Sequence, residues 1–444
     1  MNNNNHNVKI IGAGLAGSEA ALQLAKRKIE VELYEMRPYK MTGAHTGSDF
    51  AEFVCSNSLG SKEITNASGL LKKETEILGS ELIKLAYECS VPAGSALAID
   101  RTMFSSKVTQ KIKNNKYITV INEEAAEIPS GNVIIASGPL TSPALAEAIK
   151  EFTEEKYLYF YDAIAPIIEK SSIDFDIAFY ADRYDKGEAS YINCPMNKEQ
   201  YEKFYNFLIN APKIELREFE KNAKFFESCL PVEVLASRGI DTLRFGPMKP
   251  VGLIDKRTGA ENYAVVQLRQ DNTIKTLYNI VGFQTNLKWS AQKELISLIP
   301  GLENANIIRY GVMHRNTFLN SPMLLKPTLQ TRKRDNLFFS GQITGTEGYT
   351  ESIATGMLSG INMALKIQGN PLLELPKETM LGALTHYITN PAQKHFQPVN
   401  SNWAIVKETD IPKKIRKNKK EKNKITASRA LSVLSDLVVQ NICT

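Results

Sequence analysis

The sequence predicts an α/β fold in which a Rossmann-like dinucleotide-binding domain is interrupted by an inserted α+β domain. Three observations predict it. A strand, a glycine turn, a helix and a second strand follow one another over residues 8–35, which is the layout of a dinucleotide-binding βαβ unit. A strand that runs into glycine recurs at 132–139 and at 336–349. Between these, residues 151–325 are aromatic, mixed segments with turn clusters, typical of a separate α+β unit.

The first unit is the most regular part of the chain. VKIIGAG at 8–14 predicts a buried strand that enters a glycine turn. SEAALQLAKRK at 18–28 predicts a helix that begins at Ser18, and IEVELYE at 29–35 predicts the second strand.

The glycine turn carries the spacing G-x-G-x-x-G. Gly12 permits the tight turn, Gly14 lets the backbone approach a pyrophosphate, and Gly17 lets the helix pack on the strand. Glu35 ends the second strand, where a carboxylate can accept hydrogen bonds from a ribose. A glycine turn without any ligand is the alternative. The predicted cofactor contacts are Gly12, Ala13, Gly14, Leu15, Ala16, Gly17 and Glu35.

The fingerprint alone does not separate FAD from NAD. Two further glycine turns follow strands, ASG at 136–138 and SGQITGTEG at 340–348. Their N–H groups suit a large flavin cofactor, which needs contacts from several strand ends, so the sequence favours FAD and a GR2-type flavoprotein. A packing role for these turns is the alternative. The additional predicted contacts are Gly138, Gly341, Gln342 and Gly345.

The rest of the chain sets the domain boundaries. Residues 1–150 and 326–405 are assigned to the FAD-binding domain, 151–325 to the inserted domain, and 406–444 to a basic C-terminal tail or helix. Within the first domain, 69–88 has a helical pattern. The preceding polar stretch at 40–66 is a long loop, and such loops are usually functional or disordered.

Charge and composition limit the kinds of binding partner and the cellular location that we expect. The formal net charge is +6, but KKIRKNKKEKNK at 413–424 holds eight Lys or Arg and one Glu, a net of +7, so the remainder sums to −1. This segment can neutralise nucleic-acid phosphates or can be a solvated tail. Neither an apolar span of about 18 residues nor a secretion signal is visible. We therefore expect a cytoplasmic protein without membrane insertion.

Cysteine is the chemically distinctive residue. Cys55 lies in the polar loop FVCSNSL, and Cys229 lies in FFESCLPVE, near Arg238 and Arg244 in the sequence. A thiol becomes nucleophilic in a polar, electropositive setting, whereas a buried cysteine behaves as a small hydrophobe. Cys89, in an amphipathic helix, is expected in the core. The histidines show no metal-binding spacing and no hydrolase motif is visible, so no metal site is predicted.

Matching blocks distributed over residues 8–403 resemble the TrmFO family, the folate- and FAD-dependent tRNA (uracil-5-)-methyltransferases. The blocks include IGAGLAGSEAALQLA, YEMRPYKMTGAHT, VCSNSLGS, VPAGSALAIDR, RYDKGEASYINCPM, DTLRFGPMKPVGL, RYGVMHRNTFLNSP and FFSGQITGTEGYTES.

The resemblance implies an enzyme that moves a one-carbon unit from 5,10-methylenetetrahydrofolate to carbon 5 of a uridine in RNA, with electrons passed from NADH or NADPH through FAD. It implies that Cys55 and Cys229 are the catalytic pair, one as the nucleophile and the other in proton removal, in either order. Tyr349, in GTEGY, is a further catalytic candidate that positions the base or a proton transfer. A ribosomal RNA substrate, a flavoprotein oxidoreductase acting without RNA, and a non-catalytic flavin-containing RNA-binding protein are the alternatives.

Overall fold

The structure is a computed structural model of the 444-residue chain. It describes residues 7–154, 158–163, 165–185, 189–214, 230–259, 262–272, 275–311, 313–393, 396–407, 411, 415 and 418–441. The strands among these residues are β1 (Val8–Ile11), β2 (Val31–Tyr34), β3 (Ser58–Ser61), β4 (Ser90–Val91), β5 (Ala96–Ile99), β6 (Ile118–Ile121), β7 (Asn132–Ile135), β8 (Leu158–Ala163), β9 (Ile167–Glu169), β10 (Phe179–Tyr180), β11 (Tyr191–Met196), β12 (Ala264–Gln270), β13 (Leu277–Ile280), β14 (Ile307–Arg309), β15 (Met313–Phe318) and β16 (Leu337–Phe339). The α-helices are α1 (Leu15–Lys26), α2 (Ala67–Ile77), α3 (Glu81–Glu88), α4 (Arg101–Lys113), α5 (Pro143–Thr153), α6 (Lys198–Asn210), α7 (Val232–Ala236), α8 (Thr242–Phe245), α9 (Trp289–Ser297), α10 (Ser321–Leu324), α11 (Tyr349–Ile367), α12 (Met380–Ile388) and α13 (Lys419–Asn441).

A five-stranded parallel sheet carries the first unit, in the order β16-β7-β1-β2-β6. Its central strands β7 and β1 are mostly apolar, as is usual in parallel sheets that are covered on both faces. Ile10, Ile134 and Phe338 face the core beneath α1, α3 and α4, and Ile11 and Ile135 face α5. This confirms the predicted Rossmann-like fold.

Helix α11 lies against α1 more closely than ordinary side chains allow. A Cβ on Gly356 would meet the carbonyl oxygen of Ala16 at 2.2 Å, and one on Gly360 would meet that of Ala20 at 2.9 Å. Glycine is therefore required at this crossing, and the contact brings the start of α11 beside the start of α1.

The inserted unit is built on a six-stranded antiparallel sheet in the order β10-β11-β12-β13-β9-β14. Helices α6, α7 and α9 cover it with Phe204, Val232 and Leu295. Strands β8 and β15, at the entry to the insertion and the return from it, pair as an antiparallel ribbon. The mixed α+β character agrees with the sequence, whereas the boundaries at residues 150, 325 and 405 stay a prediction.

Two helix predictions were wrong in their limits. Helix α1 begins at Leu15 rather than at Ser18, because the extended residue Gly14 caps it and the Ser18 hydroxyl bonds back to the Ala13 carbonyl. The helix predicted over 69–88 is two helices, α2 and α3. Gly79 has a φ of +86° between them, and Ser80 caps α3 by accepting from the Ile83 N–H.

The C-terminal basic segment is not a loose tail where the structure describes it. Helix α13 buries Ala427, Ala430 and Leu434 against the cluster that α2 and α12 also form. The Asn423 amide donates to the Thr65 carbonyl at 3.0 Å, in the turn that follows β3. No helix in the described residues has the length and apolar composition needed to cross a membrane.

Candidate cofactor cleft and thiol loop

A cleft with about 1030 Å³ of free space opens at the carboxyl edge of the parallel sheet. This edge is where open α/β sheets bind ligands. The cleft is open to solvent, and its lining comes from the carboxyl ends of all five strands, at 11–12 and 14–16, 34–37, 123–125, 136–142 and 341–342.

The glycine turn aims the amino end of α1 into this cleft. Gly12 has a φ of +99°, and a Cβ there would lie 2.6 Å from the Ala136 carbonyl oxygen. Gly14 caps the helix without a side-chain hydrogen bond, and nothing lies within 4 Å of the place its Cβ would take. The first-turn N–H groups of α1, at Leu15 and Ala16, therefore line an open space suited to an anion.

Two predicted contacts in the same turn are structural instead. Ala13 is buried, and its N–H donates to a carboxylate oxygen of Glu35 at 3.1 Å. Gly17 lies inside α1, where a Cβ would overlap the Gly12 carbonyl oxygen at 1.8 Å. Neither residue lines the cleft, so both of them shape the turn.

Glu35 lines the cleft as an ionised acceptor. Burial alone would raise the pKa of its carboxyl group, but hydrogen bonds and the charge of Arg37 outweigh burial and hold that pKa below its ordinary value. The Arg37 Nε lies 2.9 Å from Oε1, and Arg37 also pairs with Glu52 at 3.2 Å. A carboxylate in this position suits ribose hydroxyl groups.

In the other two glycine turns, too, some predicted contacts line the cleft and one does not. Gly138 has a φ of +69° and open space at its Cβ position, and Gly341 has a φ of +78° and lies beside Ala16; both line the cleft. Gln342 also lines it and donates to Glu347 at 2.7 Å. Gly345 does not, because its Cβ position points at the Phe396 ring, 2.4 Å away.

Residues 40–57, which we call the thiol loop, close one side of the cleft. Thr42, His45, Glu52 and Val54 line it, and sequence reasoning identified none of them. His45 accepts from or donates to the Thr42 hydroxyl through Nδ1 at 2.6 Å. Burial, followed by the charge of Arg37, lowers the pKa of His45 to about 4, so the ring is neutral at pH 7.

Cys55 and Tyr349, two of the predicted catalytic residues, meet at the end of this loop. The Cys55 N–H donates to the Tyr349 hydroxyl at 2.7 Å, although the residues are 294 positions apart. The Tyr349 ring lies against Phe53, with 4.2 Å between centroids, and lines the cleft. Cys55 is a partly exposed thiol outside any disulfide. The backbone of Cys55 is therefore held by a phenol that lines the cofactor cleft, and Val54, the residue before it, lines the same cleft.

The start of α11 also holds the chain that follows Cys55. The Thr350 hydroxyl donates to the Leu59 carbonyl at 3.0 Å, and the buried Lys72 ammonium bonds the same oxygen. Burial lowers the pKa of Lys72 to about 8. Because Tyr349 and Thr350 are consecutive, the start of α11 holds the backbone both at Cys55 and at Leu59.

Cys229, the other predicted catalytic cysteine, lies outside the described residues. The chain just after it is anchored: the Val232 N–H donates to the Gln284 carbonyl at 2.7 Å, and the buried Glu233 accepts from Asn286. Arg244, predicted as an electropositive neighbour, is engaged with Asp241 at 2.6 Å.

The remaining described cysteines are inert. Cys89 is buried, as predicted. Cys194 is fully buried as well, and burial raises the pKa of its thiol. Among the described residues no group of His, Cys, Asp or Glu is arranged to hold a metal ion.

These residues fit a flavin adenine dinucleotide. The open amino end of α1 suits the pyrophosphate, the ionised Glu35 suits a ribose, and Gly138 and Gly341 line the cleft at two further strand ends. The fold and the cleft define a dinucleotide-binding protein of the Rossmann-like flavoprotein class.

Comparison with known proteins specifies this class. The family model described as glucose inhibited division protein A matches residues 7–371. Among solved structures, GidA from Aquifex aeolicus superimposes with a TM-score of 0.70, at 17% identity, over 97% of this chain and 73% of that one. This likeness concerns the fold.

The curated relatives are much closer in sequence. A protein of Bacillus licheniformis is 58% identical over 98% of this chain and 99% of its own, and one of Bacillus subtilis is 58% identical over the same shares. Both are named methylenetetrahydrofolate--tRNA-(uracil-5-)-methyltransferase TrmFO. The chain belongs to the GidA family and, within it, to the TrmFO proteins.

Proposed function

We propose that this protein is an RNA uracil-5 methyltransferase that takes its one-carbon unit from 5,10-methylenetetrahydrofolate and acts on the T-loop uridine of tRNA. Relatives at 58% identity carry this activity in their names, over nearly the whole of both chains. The structural observation that supports it is the hydrogen bond from the Cys55 N–H to the Tyr349 hydroxyl at the cofactor cleft.

The chemistry needs a thiol at this place. Carbon 5 of uracil is a poor nucleophile until a thiolate adds to carbon 6, which makes carbon 5 enolate-like and able to attack the electrophilic methylene carbon. The carbon 5 proton then leaves to a base, the bond between the transferred carbon and its nitrogen donor breaks to release tetrahydrofolate, and the thiolate is eliminated as a hydride completes the methyl group. FAD, when bound, supplies the two electrons that complete the methyl group, taken from NADH or NADPH.

We assign the two thiol roles, nucleophile and assistant in proton removal, to Cys55 and Cys229 in either order. Tyr349, whose hydroxyl accepts from the Cys55 N–H, we assign to positioning the base or to a proton transfer. The cofactor contacts we propose are those that line the cleft: Gly12, Gly14, Leu15, Ala16, Glu35, Gly138, Gly341 and Gln342.

The basic face of α13 is the RNA contact that we propose. Lys419, Lys420, Lys422 and Lys424 are exposed, while the opposite face of the helix is buried. The bond from Asn423 to the Thr65 carbonyl holds these charges beside the chain that follows the thiol loop. Ordered cations beside the chain that follows the thiol loop suit an RNA backbone better than a solvated tail does. We place the reaction in the cytoplasm, where tRNA and reduced nicotinamide are found.

The first test is reconstitution with purified protein, tRNA transcript, methylenetetrahydrofolate and NADPH. We expect 5-methyluridine that depends on both small substrates, and we expect Cys55→Ala and Cys229→Ala to abolish it. Cys89→Ala, a change at a core thiol, is the matched control and should keep activity. Full activity of both catalytic variants would overturn the cysteine assignment, and NADPH oxidation unaffected by RNA or folate would favour a plain oxidoreductase.

The RNA substrate is tested separately. We expect tRNA from cells that lack this protein to have lost one methyl group from its T loop, detected by mass analysis of isolated RNA. Loss from ribosomal RNA with unchanged tRNA would transfer the same chemistry to the alternative substrate. Tight RNA binding without any turnover would instead identify a non-catalytic RNA-binding protein.

A further inference from the structure

Three arginines from three separate elements bind the thiol loop. Arg309, at the end of β14, donates to the Ala44 carbonyl at 3.0 Å. Arg101, the first residue of α4, donates to the Phe53 carbonyl at 3.2 Å.

The third, Arg269 on β12, donates through Nε to the Asn57 side-chain oxygen at 2.9 Å. Cys55 lies two residues after Phe53 and two residues before Asn57. Two of the three guanidinium groups are therefore attached symmetrically on either side of the thiol. Arg269 and Arg309 belong to the inserted sheet, whereas Arg101 belongs to the first unit.

Asn57 turns this attachment into a rigid one. Its side chain is fully buried, and its amide nitrogen donates to the Ile99 carbonyl at 3.0 Å and to the Gln270 carbonyl at 2.7 Å. With the bond from Arg269, this side chain joins the thiol loop to β5 and β12 at once. Rotation of the loop would leave several buried polar groups without partners, which is costly.

The charges around the loop do not cancel. Arg101 pairs with Asp271, with Nη2 to Oδ1 at 2.7 Å. Glu52 accepts from Arg37 and from the Thr46 hydroxyl, and Glu35 pairs with the same Arg37.

Burial is the main cause that lowers the pKa of Arg309. Nearby charges also act on it, those of Arg101, Glu52, Asp271 and Tyr349. For Arg269, Tyr191 and Asp271 oppose the effects of burial and of Arg101. Arginine stays protonated in proteins, so the three groups carry three positive charges. With Arg37, four guanidinium groups meet the three carboxylates Asp271, Glu52 and Glu35 in these contacts, which leaves one positive charge in excess around the thiol loop.

We propose that Arg101, Arg269 and Arg309 are positioning residues that hold the thiol loop and stabilise the thiolate form of Cys55. This inference rests on the role of Cys55 in the proposed function. A thiolate is the reactive form, and neighbouring cations favour it. Residues two apart in an extended chain are separated by about 7 Å, which places the Arg101 and Arg269 guanidinium groups within about 10 to 12 Å of the thiol. Arg309 is placed near it by Tyr349, whose charge acts on Arg309 and whose hydroxyl accepts from the Cys55 N–H. At such distances each positive charge moves the titration of a partly buried thiol by about 0.5 to 1 pH unit.

The test is the pH dependence of Cys55 alkylation in the full-length, flavin-loaded protein. Iodoacetamide is applied over pH 5 to 10, and the modified fraction of the Cys55 peptide is measured by mass spectrometry, so that the other cysteines do not contribute. We expect Arg309→Gln to move the midpoint of the rate upward by about 0.5 to 1 pH unit. Arg309→Lys, which keeps the charge, should restore most of the shift.

The matched control is Arg257→Gln. Arg257 also lies in the inserted unit and donates to backbone carbonyls, those of Phe175 and Ile177, but it does not contact the thiol loop. Arg257→Gln should give the same midpoint of the alkylation rate as the protein without substitutions. Melting temperature and flavin absorbance, measured for each variant, separate misfolding from an electrostatic effect.

Two results would overturn the proposal. The midpoint for Arg309→Gln could equal that of Arg257→Gln, or Arg309→Lys could shift as far as Arg309→Gln, which would make the effect geometric. Alkylation needs neither RNA nor turnover. A shifted midpoint in a protein that does not methylate RNA would therefore contradict the proposed function while supporting the arginine effect. An unshifted midpoint in a protein that methylates RNA would support the proposed function and contradict the arginine effect.

Discussion

The cofactor cleft and the thiol loop differ in how the chain builds them. The cleft is made from strand ends and glycine turns, with Gly12, Glu35 and Gly138 each following a strand of one parallel sheet. The thiol loop has no such frame. Side chains that are distant in the sequence hold it, among them Tyr349 at the start of α11 and Arg309 of the inserted unit. Cofactor binding thus depends on local backbone geometry, whereas thiol placement depends on the docking of two units.

The largest effect should come from a change that breaks only the cleft. Gly14→Val adds a side chain where the structure leaves open space at a φ of −71°, so we expect the fold to persist and the cofactor to be excluded. Bound flavin, measured by absorbance, should fall by at least about tenfold, which corresponds to about 1.4 kcal/mol. Methyl transfer should fall with it.

Gly12→Ala is the contrasting variant. It should lose stability as well as flavin, since its φ is +99° and the Ala136 carbonyl oxygen is 2.6 Å from the Cβ position. If Gly14→Val retained full flavin occupancy, the cleft would not be the cofactor site.

The next effect tests the thiol loop without touching the cleft frame. Tyr349→Phe removes the hydroxyl that accepts from the Cys55 N–H at 2.7 Å. A lost hydrogen bond of this kind costs about 1 to 2 kcal/mol. We expect kcat to fall about tenfold while flavin absorbance stays unchanged. Tyr387→Phe, on the surface of α12, is the control. Equal activity of the two variants would remove Tyr349 from the proposed site.

A smaller effect is expected at the RNA surface. Lys420→Gln combined with Lys424→Gln removes two exposed charges from α13, and should raise KM for RNA several-fold without changing kcat. The dependence of log affinity on log salt should become shallower by about 1.5 to 2. Lys198→Gln with Lys203→Gln, on α6 of the inserted unit, is the matched pair. Identical salt slopes in both pairs would contradict the assignment of the α13 face.

The last effect concerns stability and not activity, and it is a pH dependence at His45, which lies in the thiol loop and lines the cleft. Burial lowers the pKa of His45 to about 4, so below its ordinary value near 6.5 the unfolded chain binds a proton that the folded chain does not. Stability from this group is complete above about pH 7 and is lost as pH falls toward 4. We expect His45→Gln to reduce this acid sensitivity by about 1 to 3 kcal/mol, measured by urea unfolding at several pH values. An unchanged profile would indicate a protonated His45 in the folded protein.

The difference between the two regions also explains what the sequence was able to predict. The spacing of Gly12 and Gly14 and the position of Glu35 identify a βαβ unit because every residue involved lies within one local motif. The start of α1 was misplaced because Ser18 resembles a helix cap, although its hydroxyl bonds to Ala13 instead.

No local sequence pattern predicts the contacts of the thiol loop. Arg269 is 212 residues from Asn57, and Arg309 is 265 residues from Ala44. Their roles follow from the docking of the inserted sheet against the first unit, which a single sequence does not encode in any short motif. The resemblance to a family indicated Cys55 and Tyr349 as functional, but not what holds them together.

The most direct test of the central claim is to trap the thiol on the base. Fluorine at carbon 5 cannot leave as a proton does, so a T-loop RNA that carries 5-fluorouridine should remain attached through carbon 6 to the attacking sulfur. We predict a covalent RNA adduct on the Cys55 or the Cys229 peptide, located by mass spectrometry, that requires methylenetetrahydrofolate and the flavin-loaded protein. An RNA methylated at full rate, with an adduct on neither cysteine, would contradict the account.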